Sequence, residues 1–210
     1  MNFDDVSNEW DNEKRIERAK VIANKIKTTI LEAKNKSAME FGCGTGLISF
    51  NLSDVFENIT LIDNSQGMIN VVNEKIKRFN SQNINSYCYN LIENSLNEKY
   101  DIIYNSMALH HIVDIDALLK KFYKMINSNG TLCIVDLNED DGRFHKNEVG
   151  FNGHNGFSQE WMKNILEANG FSNIKSETFY KSTKEINDEE LEYSLFIMTA
   201  DKRNMEQSKK

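Results

Sequence analysis

The stretch that decides the fold is Ser37-Ala38-Met39-Glu40-Phe41-Gly42-Cys43-Gly44-Thr45-Gly46-Leu47-Ile48, an apolar run followed by three glycines at alternate positions. This order predicts a strand, a tight turn and a helix. Because glycine tolerates positive φ and has no Cβ, Gly42, Gly44 and Gly46 allow the backbone to curl and to approach a ligand closely. The amides at the start of the following helix favour a negative group. Taken alone, the glycine cluster fits an ordinary bend equally well.

An acidic residue at a matched distance favours the binding interpretation. The second strand-like run, Ile59-Thr60-Leu61-Ile62, ends in Asp63, which follows Gly42 by 63 − 42 = 21 residues. In doubly wound folds, an acid about 20 residues beyond the first glycine lies at the tip of the second strand and binds ribose hydroxyls. The pair of features therefore predicts a nucleoside site.

The spacing within the turn separates two classes of nucleotide-binding protein. The glycines read G-x-G-x-G, with Glu40 two residues before the first, whereas a dinucleotide fingerprint reads G-x-G-x-x-G. Here the sequence resembles the class I S-adenosylmethionine-dependent methyltransferases of the small-molecule type. The resemblance implies S-adenosylmethionine as cofactor, its methionine part held by the glycine turn, its ribose by Asp63, and its adenine by Met68 and Asn90, although an aspartate is usual where Asn90 stands. The cofactor-binding residues predicted on this basis are Glu40, Phe41, Gly42, Cys43, Gly44, Gly46, Asp63, Asn64, Met68, Asn90, Leu91 and Asn105.

The order of the predicted elements gives the fold class. Five strands alternate with helices up to Leu137, which predicts parallel pairing with right-handed crossovers. Two further strand candidates, 173–180 and 193–200, are joined by a charged stretch, and the resemblance implies that the last strand is inserted antiparallel. We expect an α/β, Rossmann-like, doubly wound seven-stranded sheet, mostly parallel, with helices on both faces. The expected division is one domain over 1–200, with a helical N-terminal cap (1–36), a cofactor-binding core (37–137), a lid loop (138–157), a C-terminal helix and strand pair (158–200) and a disordered tail (201–210).

Apolar spacing predicts the helices within this frame. One stripe predicts a helix from about Asp11 to Leu31, which Asp11 or Ser7 could cap. Further stripes predict a crossover helix that continues to Phe56, a helix with Phe79 on its apolar side, a helix that includes Ile126 and is closed by Asn129-Gly130, and a helix with Trp161 on its apolar side. Serine or aspartate begins three of them, at Ser65, Asp114 and Ser158.

The composition of the chain limits the classes of function that are expected. At 210 residues the chain can bury a core without a metal or disulfides. The formal charge of −7 and pI near 5.2 argue against a duplex nucleic-acid binder. The first ten residues have no signal-peptide pattern, and no run approaches the ~18 apolar residues of a membrane span. The widely spaced Cys43, Cys88 and Cys133 are predicted to be buried free thiols, so we expect a cytoplasmic protein. A pocket between the N-terminal helix and the loop 138–157, with no basic surface, predicts a small-molecule partner; the oligomeric state stays open.

All four histidines are candidates for chemistry. His110 and His111 follow the fourth strand, at the edge where an open parallel sheet binds ligands, and His145 and His154 lie in the loop 138–157. If the acceptor is a hydroxyl, thiol or ammonium, a base must remove its proton, and histidine suits this near neutral pH. We nominate His111 first, with the other three as alternatives; each could equally be a packing residue. A metal site is not expected, since their spacing matches no recognised ligand pattern.

The resemblance therefore implies transfer of the sulfonium methyl to an O, N, S or C nucleophile of an unidentified, small acceptor. Two other functions stay open. A regulatory protein that binds the same cofactor would keep the glycine turn and Asp63 without turnover. A nicotinamide-dependent oxidoreductase would use similar features, but the glycine spacing and the lack of a second substrate domain count against it.

Overall fold

The sheet that the sequence predicts is present. A computed structural model describes residues 3–148, 150–187 and 189–202. Its seven-stranded sheet has the order β3-β2-β1-β4-β5-β7-β6, all parallel except β7, which runs antiparallel to both neighbours. The strands are β1 (Ser37–Phe41), β2 (Asn58–Asp63), β3 (Ile84–Cys88), β4 (Tyr100–Ser106), β5 (Ile126–Leu137), β6 (Phe171–Ile186) and β7 (Glu189–Lys202). The Rossmann-like fold class and the antiparallel last strand are confirmed.

Helices cover both faces of this sheet. They are α1 (Phe3–Val6), α2 (Glu13–Thr29), α3 (Leu47–Asn51), α4 (Gln66–Phe79), α5 (Ile115–Met125) and α6 (Gln159–Ala168), with short 3-10 helices at Ser7–Glu9, Leu109–His111 and Arg143–His145. One core layer joins α2, α3 and α4 to the sheet, and a second joins α5 and α6 to the opposite face. The central strand β4 supplies both layers, because Ile102 and Tyr104 point to the first and Ile103 to the second. Its apolar sequence is the one expected of a strand that is buried on both sides.

The predicted helix starts are largely correct. The side chains of Ser65, Asp114 and Ser158 accept the N–H groups that begin α4, α5 and α6. The first long helix differs, because Asn12 caps α2 and Asp11 is used elsewhere. Each cap satisfies one amide that would otherwise have no partner at the helix end.

Several predicted elements have different lengths or faces. Helix α3 has only five residues, and the apolar side chains that follow it, as far as Phe56, are buried in a turn. Phe79 is 56% exposed and Trp161 is 42% exposed, so neither lies on the buried face of its helix. Periodicity detects an apolar side chain but does not require that every turn of the helix reach the core.

The C-terminal half needs three corrections. Helix α5 ends at Met125, and Ile126 begins β5, so Asn129-Gly130 lies within the strand rather than at the helix end. The charged stretch 181–192 is not a connection, since β6 and β7 continue through most of it as one long hairpin. Residues 201 and 202 belong to β7, and the rest of the predicted disordered tail lies outside the described residues.

The sequence predicted three buried free thiols and no membrane-spanning segment. Cys43 and Cys133 are free and buried as predicted, but Cys88 is exposed because β3 is an edge strand. Among the helices of the described residues, none combines the length and the apolar character that crossing a bilayer requires.

Candidate active site

The glycine turn joins β1 to α3 at the carboxyl edge of the parallel strands. Gly42, Gly44 and Gly46 have φ values of +66°, +52° and +78°, a region that side chains with a Cβ rarely adopt. The amides of Gly42 and Cys43 both donate to the carbonyl oxygen of Ile62 in β2, at 2.9 and 3.1 Å. A Cβ on Gly42 would lie 2.6 Å from the Cβ of Ala108, in the loop after β4. The turn thus fills the crevice between β1 and β4, where the strand order reverses and open α/β sheets bind ligands.

Asp63, at the end of β2, faces this turn as predicted. Its Oδ2 accepts the amide of Gly44 at 2.8 Å, and its Oδ1 accepts the amide of Ser65 at 2.9 Å. Burial raises the pKa of Asp63, although the two amide bonds act in the opposite direction. A carboxylate has about four acceptor positions, so ribose hydroxyls could be bound in addition to these amides. The helix contributes less than predicted, because α3 is too short for a strong dipole.

Glu40 is buried in β1 rather than exposed to the turn. Its carboxylate accepts the hydroxyl of Ser49, which also lies 2.5 Å from the Tyr104 hydroxyl. Burial raises the pKa of Glu40 to about 8. This geometry fixes the start of α3 to the end of β1, and it leaves the contact of Glu40 with a cofactor a prediction.

Two asparagines predicted at the site have contrasting surroundings. The side-chain oxygen of Asn90 accepts the amides of Ile92 and Glu93, at 3.0 and 3.3 Å, so a bond to an adenine amino group would compete with this turn. Asn105, at the end of β4, is fully buried, and neither of its amide atoms has a hydrogen-bond partner among the described residues. Buried polar groups are normally bonded, so Asn105 is the one of the two that a ligand could satisfy.

The other predicted cofactor residues differ in exposure. Phe41, Cys43, Met68 and Leu91 are buried, whereas Asn64 is exposed. Burial raises the pKa of the Cys43 thiol, with further contributions from Asp63 and Glu40, so the thiol is neutral and packs as a small apolar group.

The N-terminal segment, residues 3–11, covers the glycine turn. Asp11 forms an ion pair with Lys75 of α4 at 2.6 Å and accepts the Thr45 hydroxyl at 2.5 Å. The Asp4 carboxylate accepts the amide of Gly67 at 2.7 Å, at the start of α4. A Cβ on Gly44 would lie 3.8 Å from the indole nitrogen of Trp10. The segment therefore forms one wall of the site.

Three histidines converge at the carboxyl ends of β4 and β5. The ring centroids of His110 and His111 are 4.2 Å apart, and that of His145 lies 4.9 Å from His110 and 5.8 Å from His111. His110 Nδ1 donates to Asp136 Oδ1 at 2.5 Å, and Asp136 also accepts the amides of Leu109 and Leu137. The buried carboxylate therefore fixes the orientation of the His110 ring and leaves its Nε2 free to face other groups.

The other two rings of this cluster are neutral near pH 7. Burial, followed by the proximity of His110, lowers the pKa of His111 to about 4 and that of His145 to about 3. His145 stacks on Phe151 at 3.9 Å, and Phe3 contacts His111 edge to face at 5.5 Å. His154 is not part of the cluster; its ring lies near Phe157 and Trp161, and its amide donates to the carbonyl of His110 at 2.7 Å.

The loop 138–157, predicted to be a lid without regular structure, is tied to the sheet. The amides of Glu139 and Asp140 donate to the carbonyls of Phe157 and Asn155, which joins the two ends of the loop. Lys184, from the β6–β7 hairpin, donates to the carbonyl of Phe144 at 2.7 Å and holds the middle. These contacts place His145 against His110, and closure of the loop over a substrate stays a prediction.

Sequence reasoning missed Asp136 and the aromatic walls. Asp136 is the next-to-last residue of an otherwise apolar strand, Thr131 to Leu137, and its position at the ligand-binding edge could have indicated a role. Phe3 and Phe151 had no comparable signal, because their contacts with the histidines join segments far apart in the chain.

Comparison with known protein families shows to which family this chain belongs. The sequence model described as a methyltransferase domain matches residues 13–176, more than half of the chain. The chain belongs to this methyltransferase family. It is 32% identical, over 154 residues, to an uncharacterized methyltransferase of Schizosaccharomyces pombe, an alignment that covers 66% of this chain and 54% of the relative. It is 30% identical, over 106 residues, to a malonyl-[acyl-carrier protein] O-methyltransferase of Acetivibrio thermocellus, covering 49% of this chain and 36% of that one.

Solved structures agree on the methyltransferase fold. The YcgJ protein of Bacillus subtilis superposes with a TM-score of 0.71 at 12% identity, covering 87% of this chain and 98% of that chain. A Haemonchus contortus phosphoethanolamine N-methyltransferase 2, solved with phosphomonomethylethanolamine and S-adenosylhomocysteine, superposes at 0.70 with 15% identity, covering 85% and 52%. The methyltransferase domain described here thus spans about half the length of the first of its curated relatives and about a third of the second.

The residues present fit the cofactor of the class I family. Three glycines with positive φ leave the backbone of the turn uncovered by side chains. Asp63, which accepts the amide of Gly44, follows the first glycine at the spacing typical of an acid that binds ribose. Neither amide atom of Asn105 has a hydrogen-bond partner among the described residues. The side chains that would hold S-adenosylmethionine are thus those around the turn, and the histidine cluster lies beyond Ala108 on the neighbouring strand ends.

Proposed function

We propose that this protein is an S-adenosylmethionine-dependent methyltransferase that acts on a small molecule. The single observation that carries the proposal is that the glycine turn, with three positive φ values, lies against the Asp63 carboxylate. The histidine cluster lies at the end of the neighbouring strand. Membership of the methyltransferase family supports methyl transfer, and so do relatives named as O-methyltransferases of malonyl-[acyl-carrier protein] and of ubiquinone biosynthesis.

The cofactor supplies a methyl group on a positively charged sulfur, which leaves as a neutral thioether when a nucleophile attacks the methyl carbon. The protein's task is then mainly alignment of donor and acceptor, which can contribute most of the acceleration. The glycine turn and Asp63 hold the donor. Phe3 contacts the rings of Trp10 and His111, and Phe151 contacts His111 and His145 of the cluster, so these aromatic rings would limit the access of water to a bound acceptor.

Removal of the acceptor's proton falls to the histidine cluster. His111 is the first candidate base, because it is half-buried rather than buried and is neutral near pH 7. His110, held by Asp136 through Nδ1, can receive the proton at Nε2, and His145 lies beside both rings. His154 lies apart from them and is the weakest of the four candidates.

The acceptor is proposed to be a small molecule with an O, N, S or C nucleophile, because the N-terminal segment and the loop 138–157 place the aromatic rings of Phe3 and Phe151 against the histidine cluster. The acidic net charge supports a protein without nucleic-acid partners. The free thiols of Cys43, Cys88 and Cys133 support a cytoplasmic location, which fractionation of the producing cells would test.

A donor-consumption screen tests the activity. S-adenosylhomocysteine release is measured with panels of small hydroxy, thiol and amine acceptors, for the wild type and for the His110, His111 and His145 variants to glutamine. We expect turnover with one acceptor class and its loss in at least one variant. Unchanged turnover in all three variants would remove the proposed base, whereas binding of the cofactor without turnover on any panel would favour a regulatory binding protein.

A further inference from the structure

The histidine cluster has a geometry that a general base does not require. One ligand nitrogen from each of His110, His111 and His145 lies within 4.8 Å of the other two, although the three residues come from two separate segments of the chain. A base needs one oriented imidazole, whereas three convergent imidazoles are the donor set of a catalytic metal centre. We propose that His110, His111 and His145 bind one divalent transition-metal ion of the zinc class.

The partner of His110 supports this assignment. Histidines that bind metals usually donate the other ring N–H to a carboxylate or carbonyl, which fixes the tautomer and raises the basicity of the ligating nitrogen. Asp136 does this for His110: it is fully buried, accepts Nδ1 at 2.5 Å and is itself held by two backbone amides. His110 Nε2 is therefore the nitrogen left for an ion.

The environment of His145 supplies an independent observation. Its Nδ1 is buried and has no hydrogen-bond partner among the described residues, and the residue is only 4% exposed. A buried polar nitrogen without a partner is unfavourable, so native structures seldom retain one. Coordination of a metal ion through Nδ1 would satisfy this nitrogen.

The choice of ion follows from the donor atoms. Imidazole nitrogens suit zinc, copper, iron and nickel, whereas magnesium and calcium prefer oxygen ligands. The cluster found in the described part of the chain contains three histidines and no ligating carboxylate. Around zinc, nitrogens at ~2.1 Å are spaced ~3.4 Å apart, so small ring rotations must close the present distances.

Three protein ligands leave a fourth position open, as in catalytic zinc sites. The role of that position rests on the function proposed above: it is where the acceptor oxygen or thiol would bind, and the ion would lower the acceptor's pKa in place of a free imidazole. Metal binding itself does not depend on that function, and it can be tested without any substrate.

The test is titration of ZnCl₂ into tag-free protein purified with a chelator, followed by calorimetry. A Cys88→Ser background removes the exposed thiol as an adventitious ligand. Replacement by Co²⁺ gives a second readout, since the visible absorption of bound Co²⁺ reports its coordination. We expect one equivalent of Zn²⁺ per chain and a Co²⁺ spectrum of low coordination number.

Four variants separate the ligands from their neighbours. His111→Ala and His145→Ala should each weaken Zn²⁺ binding by more than the ten- to hundredfold expected when an outer partner is lost, and Asp136→Asn should weaken it by about ten- to hundredfold. His154→Ala is the matched control and should bind as the wild type does, because its ring lies outside the cluster.

Several results would overturn the proposal: no saturable Zn²⁺ binding in the wild type, unchanged affinity in His111→Ala and His145→Ala, or equal loss in His154→Ala. Circular dichroism and S-adenosylhomocysteine titration monitor the folding of each variant. Because His111 is only half-buried, His111→Ala should disturb folding less than His145→Ala does. Zn²⁺ binding without S-adenosylhomocysteine binding would contradict the proposed function alone, and the converse would contradict the metal site alone.

Discussion

At the scale of single residues, Gly42 is the position where the turn and the loop after β4 meet. An alanine there would place its Cβ 2.6 Å from that of Ala108 at a φ of +66°. Gly150 is a matched control, since its φ is +77° but, chain neighbours aside, no atom of the described residues lies within 4 Å of an added Cβ.

We predict that Gly150→Ala costs only the left-handed backbone strain, about 1–2 kcal/mol, while Gly42→Ala costs about 1–3 kcal/mol more through overpacking. Urea denaturation of the two variants measures the difference. Equal losses of unfolding free energy would show that the close approach of Gly42 to Ala108 does not constrain the turn.

The burial of Glu40 predicts that the folding stability of the protein depends on pH. Its pKa is about 8 in the folded protein, against a reference value of 4.5. Since the folded state holds this proton more tightly than the unfolded state, the stabilisation is complete below pH ~4.5 and is lost as the pH rises towards 8.

Glu40→Gln keeps the shape of the side chain but cannot ionise. The variant should therefore gain stability relative to the wild type between pH 5 and 8, by at most about 1.4 kcal/mol per pH unit. Denaturation curves at several pH values give the measurement. A constant difference between the two proteins across this range would show that Glu40 does not titrate as its burial implies.

Sequence reasoning was most informative at these residues when a local pattern existed. The alternating glycines, Asp63 and the N-caps at Ser65, Asp114 and Ser158 were readable because each depends on its own neighbours in the chain. Asp136 and the partners of Glu40 were not, because contacts such as Ser49 to Tyr104 join different elements.

At the scale of elements, the N-terminal segment is a distinct wall attached to the cofactor turn. Its anchor is Asp11, which is bonded to both Lys75 and Thr45. Asp54, which pairs with Lys27 on the surface, is a matched acidic control.

Asp11→Ala should release this segment while leaving the sheet intact, because Asp11 contributes nothing to the two core layers. We predict faster amide hydrogen exchange over residues 3–11 in Asp11→Ala and no change there in Asp54→Ala. Unaltered exchange in Asp11→Ala would mean that other contacts, such as Asp4 with Gly67, hold the segment by themselves.

Element lengths were the least predictable feature. Apolar spacing located every strand of the sheet, but it overestimated α3 and underestimated β6 and β7. Ile186 and Leu191, on either side of the hairpin turn, are buried in the same core cluster as Phe144, and this tertiary packing accounts for strands that continue into the charged stretch.

At the scale of the whole molecule, the parallel sheet explains why the candidate residues meet. Glycines, Asp63, Asn105, the histidines and Asp136 are scattered over more than 100 residues, yet each follows or ends a parallel strand or lies in the loop after one. Carboxyl ends of parallel strands share one edge, so the fold explains why these residues lie close together, including Asp136, which the sequence analysis did not single out. It could not predict that His145 would join His110 and His111 while His154 would not, since the loop's path depends on its contacts with Lys184 and Asn155.

The central claim is that the glycine turn and Asp63 form the binding site for S-adenosylmethionine. Calorimetric titration with S-adenosylhomocysteine tests it most directly, using wild type, Asp63→Ala and the control Asp54→Ala, with NADH as the competing ligand. We predict binding to the wild type and to Asp54→Ala, weakening by about ten- to a hundredfold in Asp63→Ala, which is ~1.5–3 kcal/mol for a charged hydrogen bond, and no binding of NADH. Equal affinity of folded Asp63→Ala and wild type, or tight binding of NADH alone, would contradict the account.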